Sequence, residues 1–155
     1  MLVRREVWYN VGMINKIDYA YIAGLFDGEG SFVVAKHFSK TKHCGKRGWV
    51  WELRMTIGMS EKEGLEFVME KMDKKRMREA RGSKRPMYYL TFYSNEIRRF
   101  LPKMLPYIRV KNKQAKLLLK ALSIIKPKSS LKDDRKLEKM YLKMKILNNS
   151  RYKPI

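Results

Sequence analysis

Tyr21–Ser31 reads YIAGLFDGEGS, an apolar run that ends abruptly in alternating acids and glycines. A run this apolar belongs in a protein interior, and it predicts a helix that begins at Asp18 as N-cap, continues to Asp27 and is ended by Gly28. Such a helix carries two carboxylates, Asp27 and Glu29, to one place. Because the carboxyl end of a helix is the negative end of its dipole, a positive group such as a divalent cation is expected beside them.

The same helix has a stripe of small residues. Ala20, Gly24 and Gly28 recur every four positions, so one side of the helix lacks large side chains and another backbone can approach closely. An ordinary core helix with a glycine cap is the alternative interpretation. It explains neither the stripe nor the paired acids, so we favour a functional helix.

The length of the chain and its net charge limit the classes of protein to which it can belong. A chain of 155 residues is expected to form one domain, in which a single core buries roughly two-thirds of the unfolded surface. Lys and Arg number 36 against 15 acids, for a net charge of +21. A folded domain this basic repels itself unless a polyanion neutralises it, which makes nucleic acid the leading partner.

The chain has no apolar segment of about 18 residues and no secretory signal. One cysteine, Cys44, excludes an internal disulfide. We therefore expect an intracellular protein, in a prokaryotic cytoplasm or an organelle, with no membrane partner. No linker or internal repeat divides it, so 1–155 is expected to be one domain, with an N-terminal extension at 1–15, a core at 16–125 and a C-terminal helical segment at 126–155.

The periodicity beyond Gly30 predicts the rest of the fold. Alternation predicts strands over 32–39 and 49–57 around a basic loop that holds Gly45 and Gly48, and further strands at 76–81 and 87–93. Helices are predicted at 60–72, 95–105, 113–125 and 131–147. The order is αββαββα followed by extra helices, an α+β fold whose antiparallel sheet has its apolar face under the helices.

The opposite faces of these strands carry many side chains that form hydrogen bonds. An antiparallel ribbon fits the major groove of DNA and presents such side chains to base edges, while basic runs around it contact phosphates. The residues predicted to contact DNA are Val33, Ala35, His37, Ser39, Lys42, Arg54, Thr56, Arg76, Arg78, Arg81, Arg85, Tyr89 and Lys113.

Ile22–Gly30, which reads IAGLFDGEG, resembles the LAGLIDADG motif of homing endonucleases in register. It departs in four places: Ile for Leu, Phe for Ile, Gly for Ala and Glu for the second Asp. The resemblance implies an intron-encoded, site-specific endonuclease that hydrolyses double-stranded DNA at a long, roughly palindromic site. A single motif in the chain implies a homodimer, and no small-molecule substrate is implied.

The resemblance also implies how two chains meet and where metal binds. Two copies of the motif helix pack through a dimer interface of Ala20, Ala23, Gly24 and Asp27. At its base, Glu29 and the backbone carbonyl of Gly28 bind Mg²⁺. Mn²⁺ is expected to substitute for Mg²⁺, and Ca²⁺ is expected to support DNA binding only.

Two further catalytic residues follow from the resemblance. Family members often carry a Lys-x-Lys-Gln element just before a helix, and 111–114 (KNKQ) matches it, which implies Lys111 in the active site; a solvated basic loop is the alternative. A polar residue after the second strand positions the attacking water, and Glu61 matches. The alternative there is helix capping by Ser60 and Glu63.

One family feature is absent. The basic residue usual one turn after the water-positioning residue corresponds to Leu65, which leaves the second active-site cation open between Lys62 and Arg54. Two other functions also remain open: an RNA maturase that binds its host intron, and a basic RNA-binding structural protein in which the motif is accidental. The presence of Glu29 and Lys111 favours cleavage over both.

Overall fold

The structure is a computed structural model that describes residues 13–43, 46–80, 82, 84–125 and 131–149. The helices are α1 (Lys16–Glu29), α2 (Lys62–Lys71), α3 (Ser94–Met104), α4 (Asn112–Ile124) and α5 (Leu131–Asn148), with a 3-10 turn at Leu105–Tyr107. The strands are β1 (Gly30–His43), β2 (Lys46–Met59), β3 (Arg78–Ala80) and β4 (Met87–Phe92). The predicted αββαββα order followed by helices is confirmed. None of these helices combines the length and apolar character needed to cross a membrane.

Helix α1 begins three residues earlier than the sequence predicts. Asn15 is its N-cap, and its side chain accepts a hydrogen bond from Asp18 N at 2.9 Å. Asp18 returns the bond, accepting from Asn15 N at 3.1 Å. Asp18 is therefore the third helical residue of a capping box, and the prediction that it is the N-cap was wrong.

The end of α1 also differs from the prediction. Gly28 remains helical, and the helix closes at Glu29 with Gly30 as its C-cap. A Cβ on Gly30 would lie 2.6 Å from the carbonyl oxygen of Phe26, so only glycine fits where the chain turns from α1 directly into β1.

The strands form one antiparallel sheet in the order β1-β2-β4-β3. The hairpin of β1 and β2 is longer than predicted, because each strand has 14 residues and extends into the expected basic loop. Its register shifts between Ser39 and His43, beside Gly48, which has a φ of 106°. The predicted loop residue Gly45 lies outside the described residues.

All the helices pack against one face of this sheet. Phe32 and Val34 of β1 and Leu53, Met55 and Ile57 of β2 are buried beneath them, as their alternation predicts. The residues between them on the two strands are at most half-buried. The opposite face is therefore free of helices in the part of the chain that the structure describes.

Helix α5 completes the core over β1. Leu137 and Met144 join the cluster of buried side chains under the sheet. Three polar contacts tie the helix to β1 and β2: Lys36 Nζ to Glu138 Oε2 at 2.6 Å, Trp51 Nε1 to Asp134 Oδ1 at 3.2 Å, and Asn148 Nδ2 to Phe32 O at 2.8 Å. The C-terminal helix thus covers the outer strand of the sheet.

If α5 and the sheet unfold together as one domain, Leu137→Ala should lower the free energy of unfolding by about 2–5 kcal/mol, because it leaves a cavity in the shared core. Leu142→Ala on the same helix is the control: Leu142 is 52% exposed, and its loss should be about 0.5 kcal/mol or less. Urea unfolding of both variants at one protein concentration measures the difference. Equally small losses would mean that α5 is not part of that domain.

Candidate active site

Lys111 supplies the positive group expected at the end of α1. The residue precedes α4, and its ammonium group donates to three backbone carbonyls at the end of the helix: Phe26 O at 3.3 Å, Gly28 O at 3.1 Å and Gly30 O at 2.6 Å. Phe26 O also accepts from the C-cap N–H of Gly30, and these carbonyls lie at the negative end of the helix dipole. A lysine brought from a distant part of the chain therefore caps α1.

Asp27 holds the loop that carries this lysine. Its carboxylate accepts hydrogen bonds from three consecutive backbone N–H groups: Arg109 N at 2.6 Å, Val110 N at 3.2 Å and Lys111 N at 2.9 Å. Partial burial raises the pKa of Asp27, but the three donors and the Lys111 charge outweigh it and leave this pKa below its ordinary value. Asp27 was predicted at the dimer interface; its carboxylate is instead bound within its own chain.

Glu29 is close enough to the same ammonium group for its charge to act on it. Its side chain is exposed and forms no hydrogen bond or ion pair with any residue that the structure describes. Burial lowers the pKa of Lys111, and the opposing charges of Asp27 and Glu29 do not fully restore it. The end of α1 thus presents an unengaged carboxylate next to a partly buried ammonium group.

Glu61 lies at the same end of the sheet as Glu29. Gly30 at the start of β1 pairs with Ile57 near the end of β2, and Glu61 follows β2 as the N-cap of α2. No side-chain hydrogen bond caps α2, so the alternative of capping by Ser60 and Glu63 was wrong. The Glu61 side chain is exposed, and no hydrogen bond or ion pair among the described residues joins it to Glu29 or Lys111.

The two candidates for a second cation lie apart from that ammonium group. Lys62 Nζ is 4.7 Å from the centre of the Tyr88 ring. Arg54 lies on the helix-free face of β2, where its Nε is 2.9 Å from Glu52 Oε1. Both are already engaged, so Lys111 is the cation that the described residues bring to the end of α1.

The metal ligands available at this end are oxygen atoms. The described residues contain no group of three or more His, Cys, Asp or Glu side chains able to hold a metal ion. One chain therefore offers the Glu29 carboxylate and the Gly28 carbonyl, which also accepts from Lys111. Mg²⁺ prefers oxygen ligands and is commonly held by one or two carboxylates together with substrate phosphates and water. The donor set fits Mg²⁺ as part of a site that other molecules complete.

The outward side of α1 is apolar and unusually bare. We name it the α1 stripe; it comprises Ile17, Ala20, Tyr21, Gly24 and Gly28. Ile17 is 79% exposed and Tyr21 49%, and a Cβ on either glycine would meet no atom within 4 Å. Ala23, predicted at the dimer interface, is fully buried in its own chain and cannot contact a second copy through its side chain. Ile17 and Tyr21 were not predicted at the dimer interface, although they are four residues apart and lie beside the small residues.

The helix-free face of the sheet carries most of the predicted DNA contacts. By strand register it comprises Ser31, Val33, Ala35, His37 and Ser39 of β1, Val50, Glu52, Arg54 and Thr56 of β2, Tyr89 and Thr91 of β4, and Arg78 of β3. Arg78 pairs with Tyr89, and its guanidinium lies 5.7 Å from the centre of that ring. The face therefore combines small residues at one edge with long polar side chains further in.

Three predicted contacts lie away from this face, and two more cannot be placed on it or away from it. Arg76 and Arg85 are exposed in the segments before β3 and β4. Lys113 is in the first turn of α4, which packs against the opposite face, so the structure does not bring it to the helix-free face. Arg81 and the side chain of Lys42 lie outside the described residues.

Solved structures share this arrangement of elements. No protein-family model and no curated protein sequence matches the chain. The homing endonuclease I-CvuI, solved in complex with DNA, superposes with a TM-score of 0.72 over 90% of this chain and 87% of its own, at 17% identity. The archaeal intron-encoded homing endonuclease I-Vdi141I, complexed with DNA, gives 0.72 over 90% and 89%, at 21% identity.

A third structure carries the motif name. The I-LtrWI LAGLIDADG homing endonuclease, bound to target DNA, superposes with a TM-score of 0.64 over 79% of this chain, at 21% identity. The present chain has the LAGLIDADG homing endonuclease fold. Only 42% of the I-LtrWI chain is covered, so this fold occurs there within a chain more than twice as long as the matched part.

The anchoring of the loop in this LAGLIDADG fold can be tested through Asp27. Asp27→Ala removes the acceptor of three backbone N–H groups, so the amides of residues 109–111 should exchange with solvent faster and unfolding should cost about 1.5–3 kcal/mol less. Amide exchange by NMR and urea unfolding measure the two effects. Asn15→Ala, at the opposite end of the same helix, should cost about 1 kcal/mol without changing exchange at 109–111. Unchanged exchange in Asp27→Ala would contradict the anchoring role.

Proposed function

We propose that the protein is a site-specific, metal-dependent endonuclease that hydrolyses both strands of DNA as a homodimer. The observation that carries the proposal is the juxtaposition at the end of α1, where the Glu29 carboxylate is unengaged and the Lys111 ammonium is 3.1 Å from Gly28 O. Both lie where the helix meets the sheet, in the fold of proteins solved as homing endonucleases on DNA. An unengaged carboxylate beside an ammonium group is suited to act on a phosphodiester.

The helix-free face supports DNA as the substrate. A net charge of +21 favours a polyanion, and neutralising phosphates releases counterions from the duplex. A two-stranded ribbon such as β1 and β2 fits the major groove, where Arg54, Thr56 and Tyr89 can meet base edges. Arg76 and Arg85, which are exposed in the segments before β3 and β4, would contact phosphates rather than bases.

Glu29 and Gly28 are the residues that would hold Mg²⁺ or, in its place, Mn²⁺. Such an ion polarises a phosphate oxygen and lowers the pKa of a water molecule when it is bound. Ca²⁺ has the same charge and a preference for oxygen ligands but takes more of them in a looser geometry, which supports DNA binding without cleavage.

The remaining chemistry falls to two side chains. The Lys111 ammonium, whose three N–H groups donate to backbone carbonyls, would act through its charge and stabilise the negative charge that grows on the non-bridging phosphate oxygens during attack. Partial burial of Lys111 strengthens this interaction, since water screens it less. Glu61, exposed at the same end of the sheet, accepts a hydrogen bond from the attacking water and fixes its direction.

The α1 stripe supports a dimer in which two sites act on two strands. Two stripes related by a two-fold axis would bury Ile17 and Tyr21 and bring their glycines together. The same contact would bring both Glu29 carboxylates near the axis, each close to one scissile phosphate. A two-fold protein reads a roughly palindromic site.

The test of the proposed chemistry is Glu29→Gln. Gln keeps the size of the side chain and removes the charge that holds the metal, so cleavage in Mg²⁺ should fall by at least about 10²-fold while DNA binding in Ca²⁺ is retained. Lys111→Met should slow cleavage less completely, because it removes one stabilising charge but leaves Glu29. Single-turnover cleavage of a target selected from a randomised DNA library, with binding measured separately, resolves the two steps.

Glu66→Gln is the matched control for Glu29→Gln, because it removes an exposed carboxylate of α2 away from the site. Its cleavage rate should stay within about twofold of wild type, as expected for a surface substitution. If Glu29→Gln cleaved DNA at the wild-type rate, the proposed nuclease mechanism would be wrong. An RNA maturase or a structural RNA-binding protein would then be favoured.

The dimer is tested through Gly24→Arg. Arg is favoured over Gly in a helix by close to 1 kcal/mol, so the folded chain should survive, but the long side chain would separate the two stripes. Sedimentation should find a wild-type dimer and a folded Gly24→Arg monomer at micromolar concentration. Ser123→Arg, on an exposed position of α4, should remain dimeric. A wild-type monomer that cuts both strands without pairing on DNA would contradict this assembly.

A further inference from the structure

The helix-free face contains one acid in an otherwise basic setting. Among the strand residues that the structure describes, Glu52 is the only carboxylate whose register puts it on this face. It lies between Val50 and Arg54 on β2, opposite Ala35 of β1. A carboxylate here repels DNA phosphates, so it lowers the general affinity of the face for any duplex.

Glu52 lies against the Nε edge of the Arg54 guanidinium. Its Oε1 atom is 2.9 Å from Arg54 Nε, while Oε2 is 4.0 Å from His37 Nδ1. Arg54 Nε is shielded from solvent and has no hydrogen-bond partner in the described part of the chain, so its contact with Glu52 is an ion pair without the geometry of a hydrogen bond. Across the hairpin, Arg54 pairs with Val33, whose side chain offers no polar contact. Glu52 is therefore the group that restrains the guanidinium.

Stability does not account for this pair. The Arg54 and Glu52 side chains are 41% and 32% exposed, and ion pairs as open as this one contribute little to folding. General DNA affinity does not account for it either, since the carboxylate opposes binding. What the pair does provide is a preferred position: a guanidinium whose Nε edge lies against a carboxylate has its two terminal nitrogens directed away as a fork.

We propose that Glu52 is a specificity-determining residue that positions Arg54 to read a guanine. The terminal nitrogens of Arg54 donate to O6 and N7 of the base in the major groove, the bidentate contact that an arginine makes with guanine. Restraint by Glu52 means that less side-chain freedom is lost in this contact, and it keeps the fork from turning toward a phosphate. The inference rests on the proposed DNA-binding function.

A direct contact from Glu52 to DNA is the competing arrangement. A carboxylate accepts a hydrogen bond from the N4 amino group of cytosine, which also lies in the major groove. The two arrangements differ in their dependence on Arg54. If Glu52 acts through Arg54, removing its charge has no effect once Arg54 is gone; if it contacts a base itself, the effect remains.

The experiment compares wild type with Glu52→Gln, Arg54→Ala, the double variant and Glu138→Gln. Each protein, in Ca²⁺, selects duplexes from a randomised DNA library, and its affinity is then measured for the wild-type consensus and for each single-base change. Glu138→Gln is the matched control, because it breaks a surface ion pair with Lys36 on the opposite face of the same strands. Its base preferences should equal those of wild type.

We expect Glu52→Gln to lose roughly tenfold or more of the preference for guanine at one base pair per half-site and to keep the others. Its affinity for random duplexes should be unchanged or higher, because one negative charge has left the face. In the Arg54→Ala background the same substitution should change nothing at that base pair.

Three results would overturn the inference: an unchanged guanine preference in Glu52→Gln, an equal effect of the substitution in the Arg54→Ala background, or the same relaxation in Glu138→Gln. Each leaves the nuclease proposal standing, provided that wild type selects a sequence. Wild-type binding without any base preference would overturn both proposals together.

Discussion

The reciprocal contact between the end of α1 and the loop before α4 organises this molecule. The last carbonyls of the helix lie at its negative pole, and two carboxylates add to that charge. The chain resolves the conflict with groups from about eighty residues away: Asp27 and Arg109, joined by a hydrogen bond, are 82 positions apart. The Lys111 ammonium and three backbone N–H groups offset the negative charge of the helix end, so the end of α1 is fixed to the loop before α4.

The same contact leaves Glu29 as the carboxylate without a partner. Asp27 is occupied by backbone N–H groups, while Glu29, two residues on, emerges where α1 turns into β1. The tight approach of Gly30 to Phe26 leaves no loop between helix and strand. Because no flexible segment intervenes, the position of Glu29 relative to the sheet is set by the rigid backbone, which suits a group that must meet a phosphate at a defined place.

Local patterns predicted the elements, and long-range contacts account for what they missed. Alternation identified the buried side of β1 and β2 because one face is apolar. In α1, the sequence pattern did not distinguish Ala23, which faces the core, from Ala20, which does not. Both residues are alanines, so their hydrophobicity does not show which one is buried. The capping box was missed because Asp18 is itself a good N-cap, and only its bond to Asn15 decides the first residue.

The candidate site likewise contains residues that the sequence predicted and residues that only the structure identifies. The resemblance to the LAGLIDADG family predicted Glu29, Lys111 and Glu61 as site residues. Each of them is adjacent to a recognisable boundary of a helix or strand. The partners of Asp27 lie in a loop whose residues, Arg109 and Val110, have no distinctive pattern, and they bind through backbone atoms that sequence does not distinguish. Glu52 was not predicted as a DNA-contact residue because an acidic side chain repels phosphates. In the proposed arrangement it acts only through Arg54.

Under the proposed function, the layout separates the choice of DNA from the chemistry performed on it. The helix-free face starts at Ser31, one strand residue beyond the Gly30 turn, and continues away from Glu29 toward His37 and Ser39. Its side chains share no hydrogen bond with the Asp27 and Lys111 contacts, which lie on the helix side of the chain. Changes on the face therefore act on target sequence and leave the helix end intact, because sites without shared partners are nearly independent. A strand that joins the two regions through one rigid turn lets the position of the bound bases determine which phosphate meets Glu29.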